Sequence, residues 1–129
     1  MKDTTSRILI VDDEPTLLKM MSVYLGRLGY EVVPAGTTEQ ARAEVEAAPH
    51  SFVLAVMDAT MGGFPMEDLA AQMLAADSRV KVIAASGYPM DIAGLLAGAP
   101  GRVIFLHKPF TPESLGQTVR RLIATQEEV

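Results

Sequence analysis

Three short runs of this chain, RILIVD (7–12), FVLAVMD (52–58) and VKVIAAS (80–86), are almost continuously apolar. A strand with one wet face alternates polar and apolar residues. Continuous runs of this length therefore predict strands covered on both faces, as in a parallel sheet. EVVPA (31–35) and RVIFLH (102–107) are two further strand candidates, and segments of helical period lie between them. Residues 15–28 place Leu17, Leu18, Met20, Met21, Tyr24, Leu25 and Leu28 within an arc of roughly 160° at about 100° per residue. TTEQ (37–40) is a capping box that opens a helix over 38–47, and a third helix is expected over 66–76. MDIAGLLAGAPG (90–101) predicts a short or loosely held helix, because Gly94 and Gly98 each cost about 1 kcal/mol relative to alanine. TPES opens the terminal helix, with Thr111 as N-cap and Pro112 in the first turn. Strand and helix alternate five times, which predicts an α/β chain: one doubly wound (βα)5 domain around a parallel five-stranded sheet.

At 129 residues the chain has the length of a single domain, 1–129, and can bury roughly two-thirds of its unfolded surface without covalent staples. It has no cysteine, which rules out disulfides, thiolate metal sites and a cysteine nucleophile. That composition is compatible with a reducing cytosol, and a cytoplasmic location is the expectation. The start, MKDTTSR, carries an acid and meets few apolar residues before Asp12, unlike a signal peptide. No apolar run approaches the ~18 residues of a membrane span, so no membrane partner is expected. A net charge of −5 and a pI near 4.9, without a Lys/Arg cluster, argue against a nucleic-acid surface. Arg120 and Arg121 adjoin on the terminal helix, where a favourable interaction with the helix dipole is expected.

Ligand sites in open parallel sheets form beyond the carboxyl ends of the strands. Those ends carry Asp12 and Asp13, then Asp58, Ser86 and Lys108. Adjacent acids after a buried run repel and resist desolvation unless something positive lies close. Three carboxylates without His or Cys suit a hard divalent cation, Mg2+ rather than zinc. Each residue alone has an ordinary explanation. Asp13 could cap the first helix, Asp58 could open a turn, Ser86-Gly87 could be a turn, and Lys108 could be a solvated lysine leaving a strand. Their joint placement on four strand ends is what points to one site. Glu14, the third acid of the run, is expected in the first turn of the helix, favoured there by the dipole.

The motifs ILIVDDE, LAVMDATM, VIAASGY and FLHKPFTPE closely resemble the response-regulator receiver domain of two-component signalling, over about residues 7–125. The resemblance implies a flavodoxin-like sheet of order 2-1-3-4-5. It implies Asp58 as phosphoacceptor and Asp12 and Asp13 as the acidic pair holding Mg2+, with Asp58 and the main-chain carbonyl of Thr60 as further ligands. Ser86 would hydrogen-bond the phosphoryl group. Lys108 would pair with the acceptor and then with the phosphoryl oxygens, and its bond to Pro109 would be cis. Phe105 occupies the position of the aromatic switch, although core packing explains it equally well.

The function so implied is transfer of a phosphoryl group to Asp58 from the phosphohistidine of a sensor histidine kinase or a histidine phosphotransfer domain. A signal would then pass through Ser86 and Phe105 to a partner protein, with no catalysis beyond the domain's own phosphorylation and dephosphorylation. The chain ends at ATQEEV, just after the terminal helix, and the expectation is that no output domain such as a DNA-binding module is present. It would be a single-domain regulator or the receiver of a larger protein; FLHKPFTPESL is similar to receivers attached to hybrid histidine kinases.

The family pattern is not followed throughout. Met61 is kept, but Gly62 replaces the usual proline and Met66 the later glycine, so Gly62-Gly63 loosens the loop after the acceptor. Receivers dock kinases around the first helix; Leu17, Met20 and Tyr24 are either such a surface or core, with core expected for most. Met61, Met66, Met73 and Met90 are expected to fill gaps. His50 and His107 lack partner ligands at metal spacing and are expected to be plain polar residues. Two competing classes stand beside the leading one. A pseudo-receiver would keep the fold as a protein-binding module without phosphorylation. A haloacid-dehalogenase-like phosphatase would need a second acid where Thr60 stands. Neither a GxGxxG turn nor a P-loop follows the first strand.

Overall fold

The structure, a computed structural model, describes residues 6–59, 66–87 and 101–127. In chain order come β1 (Arg7–Val11), α1 (Pro15–Arg27), β2 (Glu31–Ala35), α2 (Thr38–Ala47), β3 (Phe52–Asp58), α3 (Met66–Ala76), β4 (Lys81–Ser86), β5 (Val103–His107) and α4 (Pro112–Glu127). The five strands form one sheet in the order β2-β1-β3-β4-β5, every neighbouring pair parallel, as expected for a flavodoxin-like fold. The helix expected over 90–101 falls almost wholly outside the described residues. So do Thr60, Met61, Gly62, Gly63 and Met90.

The apolar runs are covered on both faces. In β1, Leu9 and Val11 pack with Ala41 and Val45 of α2 and with Leu69 and Met73 of α3. Ile8 and Ile10 point to the other face, against Met21 and Leu25 of α1 and Leu115 and Val119 of α4. Each such fully buried aliphatic side chain contributes roughly 1.5–3 kcal/mol. Leu17, Met20 and Tyr24 pack half-buried against this second cluster, so most of the α1 stripe is core. Met66 and Met73 are buried among aliphatic neighbours and act as gap fillers. The edge strand β2 carries Pro34, which cannot donate to a ladder and suits an edge.

Local chemistry sets the helix ends. Thr37 Oγ1 accepts the Gln40 N–H at 3.0 Å, and Gln40 Oε1 reaches back to the Gly36 N–H at 2.9 Å, closing the expected capping box one residue early. Thr111 Oγ1 likewise accepts the Ser114 N–H at 3.0 Å. At the other end of α1, Gly29 adopts φ 104°, with Gly29 N–H donating to Gly26 O and Tyr30 N–H to Leu25 O. This is a Schellman motif, and its left-handed residue is a glycine because a Cβ is strained there. Gly116 has a different reason: a Cβ on it would lie 2.8 Å from Tyr24 Cε2, so the glycine lets α4 approach α1.

Two expectations about helix ends are corrected. Glu14 is the N-cap residue of α1, with extended backbone (φ −95°, ψ 110°), and no acid lies in the first turn, which starts at Pro15. The helix α4 continues to Glu127, so Arg120 and Arg121 fall before its last turn, which holds no basic residue. The dipole effect is confined to that turn. A lysine from the sheet reaches the helix instead: Lys81 Nζ donates to the Leu122 carbonyl at 3.1 Å.

Arg102 performs a similar task at the end of α3. Its Nε donates to Val80 O at 3.0 Å, and Nη2 donates to Leu74 O at 3.3 Å and to Asp77 O. Arg102→Ala strips three half-buried carbonyls of a charged donor, and a loss of about 2 kcal/mol in urea unfolding is expected. A loss below about 0.5 kcal/mol would mean that water replaces the guanidinium at no cost.

Candidate functional site

The sheet extends past the formal strand ends and fixes where the polar residues stand. Asp12 N–H donates to Ala35 O at 3.1 Å, Ala59 N–H to Ala85 O at 2.7 Å, and Lys108 N–H to Ser86 O at 2.7 Å. Asp12, Asp58, Ser86 and Lys108 are thereby held at one edge, Asp58 and Ser86 as the last residues of β3 and β4, Asp12 and Lys108 just past β1 and β5. Asp12 and Asp58 are 2% and 6% exposed, Ser86 is fully buried, and Asp13 is exposed.

Lys108 joins the two buried acids. Its Nζ lies 3.1 Å from Asp12 Oδ2 and 3.2 Å from Asp58 Oδ2. The other Asp12 oxygen, Oδ1, accepts the Glu14 N–H at 2.9 Å, which fixes the carboxylate's orientation. Burial alone would lower the pKa of the Lys108 ammonium, but the hydrogen bond and charge of Asp12, and then those of Asp58, more than offset this and raise it. The Lys108–Pro109 bond is cis, as expected.

Carboxylate oxygens of Asp12, Asp13 and Asp58 all lie within 4.8 Å of one another, and among the described residues no other group of three or more acids, histidines or cysteines comes together in this way. At that distance each like-charge pair costs about 3.5 kcal/mol at an effective dielectric near 20. Among the described residues three negative charges face one ammonium, so the site retains a deficit of positive charge. Its donors are hard oxygens, which fit Mg2+. Asp13 is not the helix cap, since Glu14 takes that position; the ordinary explanation for Asp13 falls away.

Phe105 is half-buried against the cluster formed with α2 and α3, and its ring meets His107 edge-on, centroids 6.5 Å apart. Thr60 lies outside the described residues. A cavity of about 520 Å³ opens beside Lys108, lined by Glu14, Leu17, Gly87, Lys108, Pro109 and Phe110. Nothing in the sequence pointed to Glu14 or Phe110 as part of a site except their adjacency to Asp13 and to Lys108-Pro109.

The model of the response regulator receiver domain matches residues 8–120. The chain belongs to the response regulator receiver family. Among curated proteins this receiver is 33% identical over 123 residues to the transcriptional regulatory protein AruR of Pseudomonas aeruginosa, covering 91% of the chain and 49% of that protein. It spans about half the length of the curated relatives it matches. Among solved structures it superposes on a CheY-like receiver domain protein from Methanospirillum hungatei with a TM-score of 0.84 and 26% identity, covering 97% of this chain and 98% of that one. It also matches TrrA of Thermotoga maritima, solved in complex with Mg2+-BeF, with a TM-score of 0.76 and 25% identity over 92% of this chain and 99% of that one. Receiver domains are signalling modules of two-component systems and bind Mg2+ at an acidic pocket. Among the described residues of this receiver, no helix is long and apolar enough to cross a membrane.

Proposed function

We propose that the chain is a single phosphoacceptor receiver, its core spanning about residues 7–125, which takes a phosphoryl group from the phosphohistidine of a sensor histidine kinase or histidine phosphotransfer domain onto Asp58. The observation that carries this reading is the bridge from Lys108 to Asp12 and Asp58 inside a cluster of three carboxylates. Asp12, Asp13 and Asp58 would hold Mg2+ through their carboxylates, and Thr60 through its main-chain carbonyl. Bound there, the ion supplies charge neutralisation for the phosphoryl oxygens.

The chain's own groups do the rest. An Asp58 oxygen forms the new O–P bond as the P–N bond to the donor imidazole breaks, the imidazole keeping that electron pair. Lys108 turns from the Asp58 carboxylate to a phosphoryl oxygen, staying anchored by Asp12. Ser86, buried at the end of β4, donates its hydroxyl to another phosphoryl oxygen and is drawn toward it. Phe105, one strand away, follows and changes the surface around β5 and α4 for a partner protein, in the cytoplasm.

The test is direct. With Mg2+ and a small acyl-phosphate donor, intact mass should show one phosphoryl adduct, and none should form when the metal is chelated before the donor is added. No adduct at any pH or donor concentration would favour the pseudo-receiver module. Turnover of a free phosphomonoester would instead indicate a phosphatase.

A further inference from the structure

Alternate residues of a strand share a face, so Val103, Phe105 and His107 of β5 form one row. Their register partners on β4 are Val82, Ala84 and Ser86. Along this row exposure rises from buried Val103 through half-buried Phe105 to exposed His107. Ala84 sets only a methyl group beside the Phe105 ring. His107 sets an aromatic one: the two rings meet edge-on, centroids 6.5 Å apart and planes at 67°. Aromatic pairs in this geometry attract beyond the area they bury. His107 also belongs to neither the carboxylate cluster nor the Lys108 ion pairs, yet it is the register partner of Ser86 and the neighbour of Lys108.

We propose that His107 is a positioning residue for Phe105: its imidazole braces the phenyl ring in the half-buried pose until Ser86 is drawn toward a phosphoryl group on Asp58. The inference rests on the phosphoacceptor reading above. Beside the packing Phe105 shares with the core, the edge-on contact favours the half-buried pose by its own worth, about two- to twelvefold as an equilibrium constant. A ligand that selects the other pose loses affinity by the same factor.

Beryllofluoride with Mg2+ serves as the probe for a phosphoryl group. The chain has only four phenylalanines, so ring signals from labelled phenylalanine can be assigned with a Phe105→Leu control. His107→Ala should bind beryllofluoride about two- to twelvefold tighter than wild type. Its Phe105 signals, before the probe is added, should move toward those of the wild-type complex. His107→Phe keeps an edge-on ring and should return both readouts to wild-type values, a rescue that a loss of general stability would not produce. If the alanine variant binds like wild type with Phe105 signals unmoved, or the phenylalanine variant fails to restore them, His107 does not brace the ring and the phosphoacceptor reading still stands. If wild type itself binds no beryllofluoride with Mg2+, the phosphoacceptor reading fails and takes the inference with it.

Discussion

Asp58→Asn is expected to accept no phosphoryl group from an acyl-phosphate donor and, in the absence of metal, to be more stable than the wild type. The first half follows from the acceptor oxygen. An amide is not a nucleophile here, and among the described residues no other carboxylate stands both buried and paired with Lys108 except Asp12, whose Oδ1 is already committed to the Glu14 N–H. The second half follows from charge. Asp58 faces Asp12 and Asp13 within 4.8 Å and one ammonium at 3.2 Å. At an effective dielectric near 20 the two repulsions cost about 7 kcal/mol together, against an attraction of about 5 kcal/mol. Asp13 is exposed and therefore screened, which leaves an expected gain of about 1–2 kcal/mol. Intact mass and urea unfolding in a chelator measure the two halves separately. An adduct of undiminished yield on the variant would move the acceptor elsewhere, and a drop in metal-free stability would mean that the lysine outweighs the acids.

Removing Lys108 should act in the opposite sense. Lys108→Ala leaves Asp12 and Asp58 buried without their cation. Loss of one partner from a buried pair costs 3–5 kcal/mol in typical cases, and the partial exposure of Lys108 reduces this to about 2–4 kcal/mol. Saturating Mg2+ should restore much of the loss, because an ion that binds the folded state alone stabilises it by mass action. Phosphoryl uptake should slow roughly a hundredfold, the usual cost of deleting one preorganised charge at a transferring group. The pH dependence has a definite sign. Since the folded state raises the lysine's pKa, its contribution is fully present below the ordinary lysine range and fades as pH climbs through the raised value. The stability gap between wild type and variant should thus be flat through neutral pH and close only in strong alkali. Calorimetric scans across pH check this; a gap that widened with pH would contradict the ion-pair account.

The strands and helices of this receiver were largely legible because their signals are local. Continuous apolar runs located β1, β3 and β4 to within a residue, and Thr37 and Thr111 marked helix starts through hydroxyls that now accept the expected N–H groups. The errors lie where a position depends on how far a helix continues. The helix dipole favours an acid in the first turn, which is the place expected for Glu14; the backbone starts the helix at Pro15 and leaves Glu14 extended as its N-cap. The end of α4 carries no stop signal in the sequence; the helix runs on to Glu127, so Arg120 and Arg121, expected to meet its dipole, fall short of the last turn.

By itself, then, the sequence determined that the sheet is parallel, that helices cover both its faces, and that acids, a serine and a lysine crowd its carboxyl edge. Period, propensity and capping act over a few residues, and a chain of this pattern has few other ways to bury its runs. Only the tertiary structure decided which of those side chains touch. Lys108 meets Asp12 and Asp58 across separations of 96 and 50 positions. Asp13 faces solvent, Lys81 rather than an arginine reaches α4, and His107 lies against the edge of Phe105. Such contacts depend on strand order and register, which are settled by packing over the whole core rather than by neighbours in the chain.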